Sequence, residues 1–173
     1  MAKKLPLSPD ISYFLGAYRC NRIYRNIYLH AADKKLVERF VKIAIMELGT
    51  KADAVSVTID GKFANAEIGN SKLKKLLDKA LEERDRIFKY RNEYSASYFA
   101  AMFDCNGAMD RKGMFVRGMD SYDRIILERI GFHTKGGSGK CYFRNGNDFF
   151  MFIAPFSIKA QLINRYVEER STG

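Results

Sequence analysis

The chain has 173 residues, 47% of them apolar, and 30 Lys and Arg against 20 Asp and Glu give a formal net charge of +10. That length suits one compact domain or two small halves sharing a core. No apolar run reaches the roughly 20 residues that span a bilayer. The opening MAKKLPLSPD lacks the apolar stretch of a signal peptide, and Cys20, Cys105 and Cys141 are too scattered for a zinc site or a disulfide scaffold. The expectation is a soluble cytoplasmic protein with no membrane, metal or cofactor, and the charge favours a polyanionic partner.

Ser8 followed by Pro9 predicts a helix over 9–20, with Ser as cap and Pro at the first helical position. A short strand-turn-strand is expected within 22–32, where Ile27 and Leu29 alternate with Tyr28 and His30. Asp33 caps a second helix with an apolar stripe of Leu36, Phe40, Ile43 and Ala44, ended by Gly49. In AVSVTIDGKFANAEIG, Val55, Val57 and Ile59 alternate with Ser56 and Thr58, and Asp60-Gly61 marks a hairpin turn. A helix over 71–90 follows, with Leu73, Leu76, Leu77, Ala80 and Leu81 on one face.

The second half repeats this order. A helix over 93–105 leads to a hairpin around Arg111-Lys112-Gly113. Ser121 is expected to cap a helix striped by Ile125, Ile126 and Ile130, with Gly131 ending it. KCYFRNGNDFFMF predicts a second hairpin turning at Asn145-Gly146, and a last helix carries Leu162, Ile163, Tyr166 and Val167.

Two stretches match closely. SYFLGAYRCN begins at Ser12 and SYFAAMFDCN at Ser97, an offset of 85, and Asp60-Gly61 and Asn145-Gly146 share that offset. A tandem duplication over 1–90 and 91–173 is the resulting expectation. Gly16 and Cys20, like Ala101 and Cys105, put small residues four apart, which lets two helices approach face to face as the interface between repeats.

YFLGAYRCN and YFAAMFDCNG resemble two copies of the motif of LAGLIDADG homing endonucleases and related maturases. The resemblance covers nearly the whole chain. It implies an α+β fold of two pseudo-symmetric αββαββα repeats in a monomer, with antiparallel sheets forming a saddle over nucleic acid. The small motif positions fall on Gly16 and Ala101 and on Cys20 and Cys105. The acidic positions that bind divalent metal in the family fall on Asn21 and Asn106, and the closing glycine falls on Arg22 and Gly107. A neutral amide does not supply the charge that a metal-dependent hydrolase needs. Asp104 precedes Asn106 by two residues and so projects about 200° away on a helix, and its counterpart is Arg19. Where the family places polar or basic residues near the scissile phosphates, this chain has Ala31-Ala32.

Inactivity as a nuclease is therefore expected. Tyr24, Tyr28, His30, Arg117, Lys140, Tyr142 and Arg144 are expected on strand faces opposite the aliphatic positions, where aromatics and cations suit base stacking and phosphate neutralisation. Lys135 and Lys140 flank GGSG and offer mobile cations. GGSGK itself departs from the phosphate-loop pattern, with Thr134 where the first Gly belongs and Cys141 where Ser or Thr belongs. Binding of structured RNA in intron or ribosomal RNA maturation stands first. Double-stranded DNA binding, as a regulator or residual endonuclease, stands second, and a protein-binding scaffold third.

Overall fold

The computed structural model describes residues 4–22, 25–136 and 139–171. The Ser8 side chain accepts the backbone N–H of Ile11 at 3.1 Å, and helix α1 runs Pro9–Cys20. Every residue from Ile11 to Tyr18 is buried, so α1 has no polar face and sits inside the molecule. Helix α5, Glu93–Asn106, is buried in the same way from Ser95 to Asp104 and packs along α1.

Each of two antiparallel sheets belongs to one half of the chain. The first has the order β1 (Ile27–Ala31), β3 (Phe63–Ile68), β2 (Val55–Asp60). Ile27, Leu29 and Ala31 alternate onto the core beside Ala64, Ala66 and Ile68. The β2–β3 hairpin turns at Gly61, whose φ of 56° a side chain would strain. Asp33 caps α2 (Lys34–Met46), and α2 lays Leu36, Val37, Phe40, Ile43 and Ala44 against this sheet and α1. The second sheet has the order β4 (Gly107–Asp110), β5 (Gly113–Arg117), β7 (Lys140–Phe143), β6 (Thr134–Lys135). Among the described residues no helix is long and apolar enough to cross a membrane.

Five local expectations are corrected. Within 22–32 the described residues hold one strand, β1, which pairs with β3 rather than with a strand before it. The polar run ahead of it is exposed at Arg25 and Asn26, and the Asn26 amide donates to Glu67. Asn145-Gly146 is a helix start. The Asn145 side chain accepts from Asp148 N at 3.1 Å, and α7 runs Gly146–Ile153. Phe149 decides this, because it stacks on Phe143 at 3.7 Å and only a helix carries it there together with Ile153. The second hairpin therefore joins β6 to β7, and the offset shared with Asp60-Gly61 relates two different structures.

Asp120, not Ser121, caps α6 (Ser121–Arg129) through a reciprocal capping box with Asp123. Leu127 joins Ile126 and Ile130 in the core, while Ile125 is half exposed. The helix over 71–90 is two, α3 (Ser71–Glu82) and the single turn α4 (Arg84–Ile87), because Arg84 is drawn into a buried charge cluster. The final helix, α8, spans Ile158–Ser171. Leu162 and Ile163 on it are partly exposed, and the side chains of Tyr166 and Val167 lie outside the described residues.

Candidate functional site

Contacts between α1 and α5 advance in the same direction along both helices. Ser97 Oγ donates to Pro9 O at 2.6 Å near the start. At mid-length, a Cβ on Gly16 would lie 2.3 Å from Tyr98 O and 3.0 Å from Ala101 Cβ, so only glycine admits this approach. At the end, hydrogen bonding with Cys20 and then burial push the Cys105 thiol well above its ordinary pKa. The helices are thus parallel and finish at one end of the pair, with Asn21 and Asn106 as their last residues or caps. The Asn21 side-chain Oδ1 accepts from His30 N at 3.4 Å, and Asn106 is exposed beside Gly118. Ala31 is buried at the end of β1, and Ala32 is exposed.

Arg19 and Asp104 occupy matching places near these ends. Both are consumed structurally. Asp104 accepts from Tyr13 Oη at 2.5 Å, Ser157 Oγ at 2.6 Å, Ile158 N at 2.8 Å and Lys159 N at 3.0 Å. It is the anionic anchor for the start of α8, where unpaired N–H groups favour a carboxylate. Lys159 in turn caps the end of α5, donating to Phe103 O and Gly107 O.

Arg19 reaches Asp120 and Asp123, both at 3.0 Å. Arg84 grips the same pair at 2.5 and 3.1 Å, and Tyr98 Oη donates to Asp123 at 3.0 Å. Burial raises the Asp123 carboxyl despite the two guanidiniums. Burial also opposes ionisation of Asp120, but the Asp123 N–H and the two arginines outweigh it and lower its pKa. This cluster ties α1, α4, α5 and α6 together, and its members are too far apart in sequence for spacing to show it.

The outward face of the second sheet brings together Arg117, Lys135, Lys140 and Tyr142. Arg117 sits opposite Lys140, and Tyr142 opposite both Phe115 and Lys135. Arg144 is exposed just beyond β7. Lys140 Nζ passes 4.3 Å from the Phe115 ring to reach Asp110 at 2.9 Å, and Tyr142 Oη donates to the same carboxylate at 2.8 Å. The Lys140 and Tyr142 hydrogen bonds hold Asp110 down to about 2. Tyr28 and His30 lie on the outward face of the first sheet, around Asn65. Tyr24 lies outside the described residues. Sequence reasoning missed Phe63 and Asp110 on these faces. The alternation of Ala64, Ala66 and Ile68 was enough to turn Phe63 outward, whereas nothing local aimed Asp110 at Lys140.

The chain matches solved structures of I-DmoI, a LAGLIDADG homing endonuclease. The fold is similar to that of I-DmoI. With I-DmoI in complex with DNA and calcium, the TM-score is 0.66 at 13% identity, over 91% of this chain and 98% of the other. With mesophilic variants of I-DmoI it is 0.64 at 11% identity, over 84% and 95%. With the complex with DNA and manganese it is 0.63 at 13% identity, over 84% and 96%. No protein-family model matches the chain, and no curated protein matches it. At such identity the likeness is one of fold, and function has to be argued from the chain's own residues.

Proposed function

We propose that this chain binds nucleic acid without cutting it. The observation that carries the reading is the outward face of the second sheet, where Arg117, Lys135 and Lys140 surround Tyr142 in cross-strand register, over the buried ring of Phe115. Cations set around an accessible aromatic ring suit a ligand with phosphates and bases. The net charge of +10 and the likeness to a protein seen in complex with DNA point to the same class of ligand.

The divalent metal implied by the resemblance does not fit the residues at the helix ends. Asn21 and Asn106 stand at the motif positions and carry no charge, and the Asn21 side-chain Oδ1 already accepts from His30 N. The nearby acid, Asp104, is buried under four donors. Hard cations need anionic oxygens free to turn toward them, and neither asparagine nor the enclosed Asp104 offers one.

Structured RNA is the ligand this reading favours. The hairpin of β4 and β5 has strands of four and five residues. At about 3.3 Å per residue it reaches roughly 15 Å, less than half a helical turn of duplex. Duplex DNA is the second reading, favoured by the likeness to DNA-bound I-DmoI. Crosslinking in cells followed by sequencing of the bound nucleic acid tests both. One defined RNA region is the expected result, genomic DNA peaks would select the second reading, and no enrichment would overturn nucleic-acid binding.

A further inference from the structure

We infer that Phe63 and His30, on the outward face of the first sheet, form a platform for one unpaired base of the bound nucleic acid. The inference rests on the nucleic-acid reading above and narrows the ligand to one with a base out of its stack. Phe63 is a large aromatic turned away from the core, 44% exposed, on a strand whose Ala64, Ala66 and Ile68 are all buried. His30 pairs with Asn65 in register, which makes it the diagonal neighbour of Phe63. The two rings stack nearly face to face, 4.7 Å apart at 23°, and form a short column on which a third flat ring can stack.

The platform is held rigid from beneath. Asn65 Oδ1 accepts from Tyr28 Oη at 2.9 Å and meets His30 Nδ1 at 2.5 Å, while Asn65 Nδ2 points to Thr58 Oγ1 at 3.5 Å. A carbonyl oxygen only accepts, so His30 Nδ1 donates in this contact and the hydrogen bond fixes the orientation of the ring. An oriented, exposed ring face is what a flat heterocycle stacks on. The Asn21 contact to His30 N places the platform beside the end of α1.

Charge decides which part of the ligand lies there. Asp60 and Glu67 share this face, and no Lys or Arg does among the described strand residues. A phosphodiester is repelled from such a surface, and a neutral base is not. The second sheet has the opposite character, with Arg117, Lys135 and Lys140 outward. The sheets thus divide the ligand, backbone on the second and a base on the first. In a continuous duplex the base faces are buried by stacking, so the platform selects a loop or bulge.

The test uses the full chain with a short hairpin carrying 2-aminopurine in its loop, made both as RNA and as DNA, and a fully paired duplex of equal length. The wild type should bind a hairpin more tightly than the duplex and quench the loop fluorescence. Phe63→Leu keeps apolar volume but removes the ring, and it should lose about tenfold in hairpin affinity and most of the quenching, with duplex affinity and salt dependence unchanged. Phe63→Tyr keeps the ring and should behave as wild type. Equal binding of hairpin by wild type and Phe63→Leu, or equal loss on hairpin and duplex, would overturn the platform while leaving nucleic-acid binding standing. Failure of the wild type to bind any of these ligands would overturn both.

Discussion

The hydroxyl of Tyr13 donates to the carboxylate of Asp104 at 2.5 Å, joining α1 to α5 through a buried contact. Burial and the adjacent carboxylate push the Tyr13 phenol well above its ordinary pKa, so it remains a donor. The same carboxylate holds Ser157 and the first N–H groups of α8. Asp104→Ala leaves all these donors buried without an acceptor and should cost about 3 kcal/mol or more. Asp104→Asn keeps the shape and half the acceptor capacity and should cost about 1–2 kcal/mol. Urea unfolding measures both, and unchanged midpoints would mean that Asp104 is not a structural anchor.

At Gly16 the helix pair leaves no room for a side chain. A methyl group there would lie 2.3 Å from the Tyr98 carbonyl oxygen, which is backbone and cannot swing aside. Gly16→Ala should therefore separate the helices and destabilise the protein by about 2–3 kcal/mol, despite the better helix propensity of Ala. Ala101→Gly on the facing helix creates no clash and should cost about 1 kcal/mol through propensity. Thermal melting of the two variants checks the asymmetry.

Much of the fold was legible because its signals are local. Ser8-Pro9, Asp33 and Asp60-Gly61 each fix an element end with atoms from a few neighbouring residues. Asn145-Gly146 was misleading because the same dipeptide serves a hairpin turn and a helix start. The choice is made by the stack of Phe149 on Phe143, a contact between elements. The arginine–aspartate cluster was illegible for the same reason, since Arg19 and Arg84 converge on Asp120 and Asp123 only after three helices have packed. At the site, strand alternation placed Tyr28, His30 and Tyr142 on outward faces, but it could not reveal that Lys140 arrives already paired.

That pairing makes Asp110 a brake on phosphate contact. Lys140 is bound to Asp110, and the carboxylate projects into an otherwise cationic face. Asp110→Asn should raise affinity for nucleic acid at low salt and steepen the salt dependence by about one phosphate contact. Replacing Lys135 and Lys140 together should weaken binding to all sequences and flatten that dependence. The folded pKa of Asp110 is depressed to about 2. Its ion pair is therefore fully present above the unfolded carboxylate value near 4 and is lost only as pH falls through about 2. Between pH 5 and 8, protonation of Asp110 should not change wild-type affinity. A gain near pH 5 in the wild type but not in Asp110→Asn would contradict this assignment.

The last prediction concerns the helix ends. The unmodified protein should neither bind Mn²⁺ tightly there nor cut its preferred nucleic acid with Mg²⁺ or Mn²⁺ present, since two amides supply no anionic ligand. Asn21→Asp with Asn106→Asp places a carboxylate at the end of each of two parallel helices that finish together. The double variant should gain a Mn²⁺ site seen by titration calorimetry, and each single variant should bind more weakly, because one carboxylate is half the charge. Cleavage should stay absent in the double variant. Ala31 is buried and Ala32 carries no polar group, so neither of these two residues supports a scissile phosphate or activates water. Equal, tight Mn²⁺ binding by the unmodified chain and the double variant would place the metal elsewhere. Metal-dependent cutting by the unmodified chain would end the reading of this protein as a binder without hydrolysis.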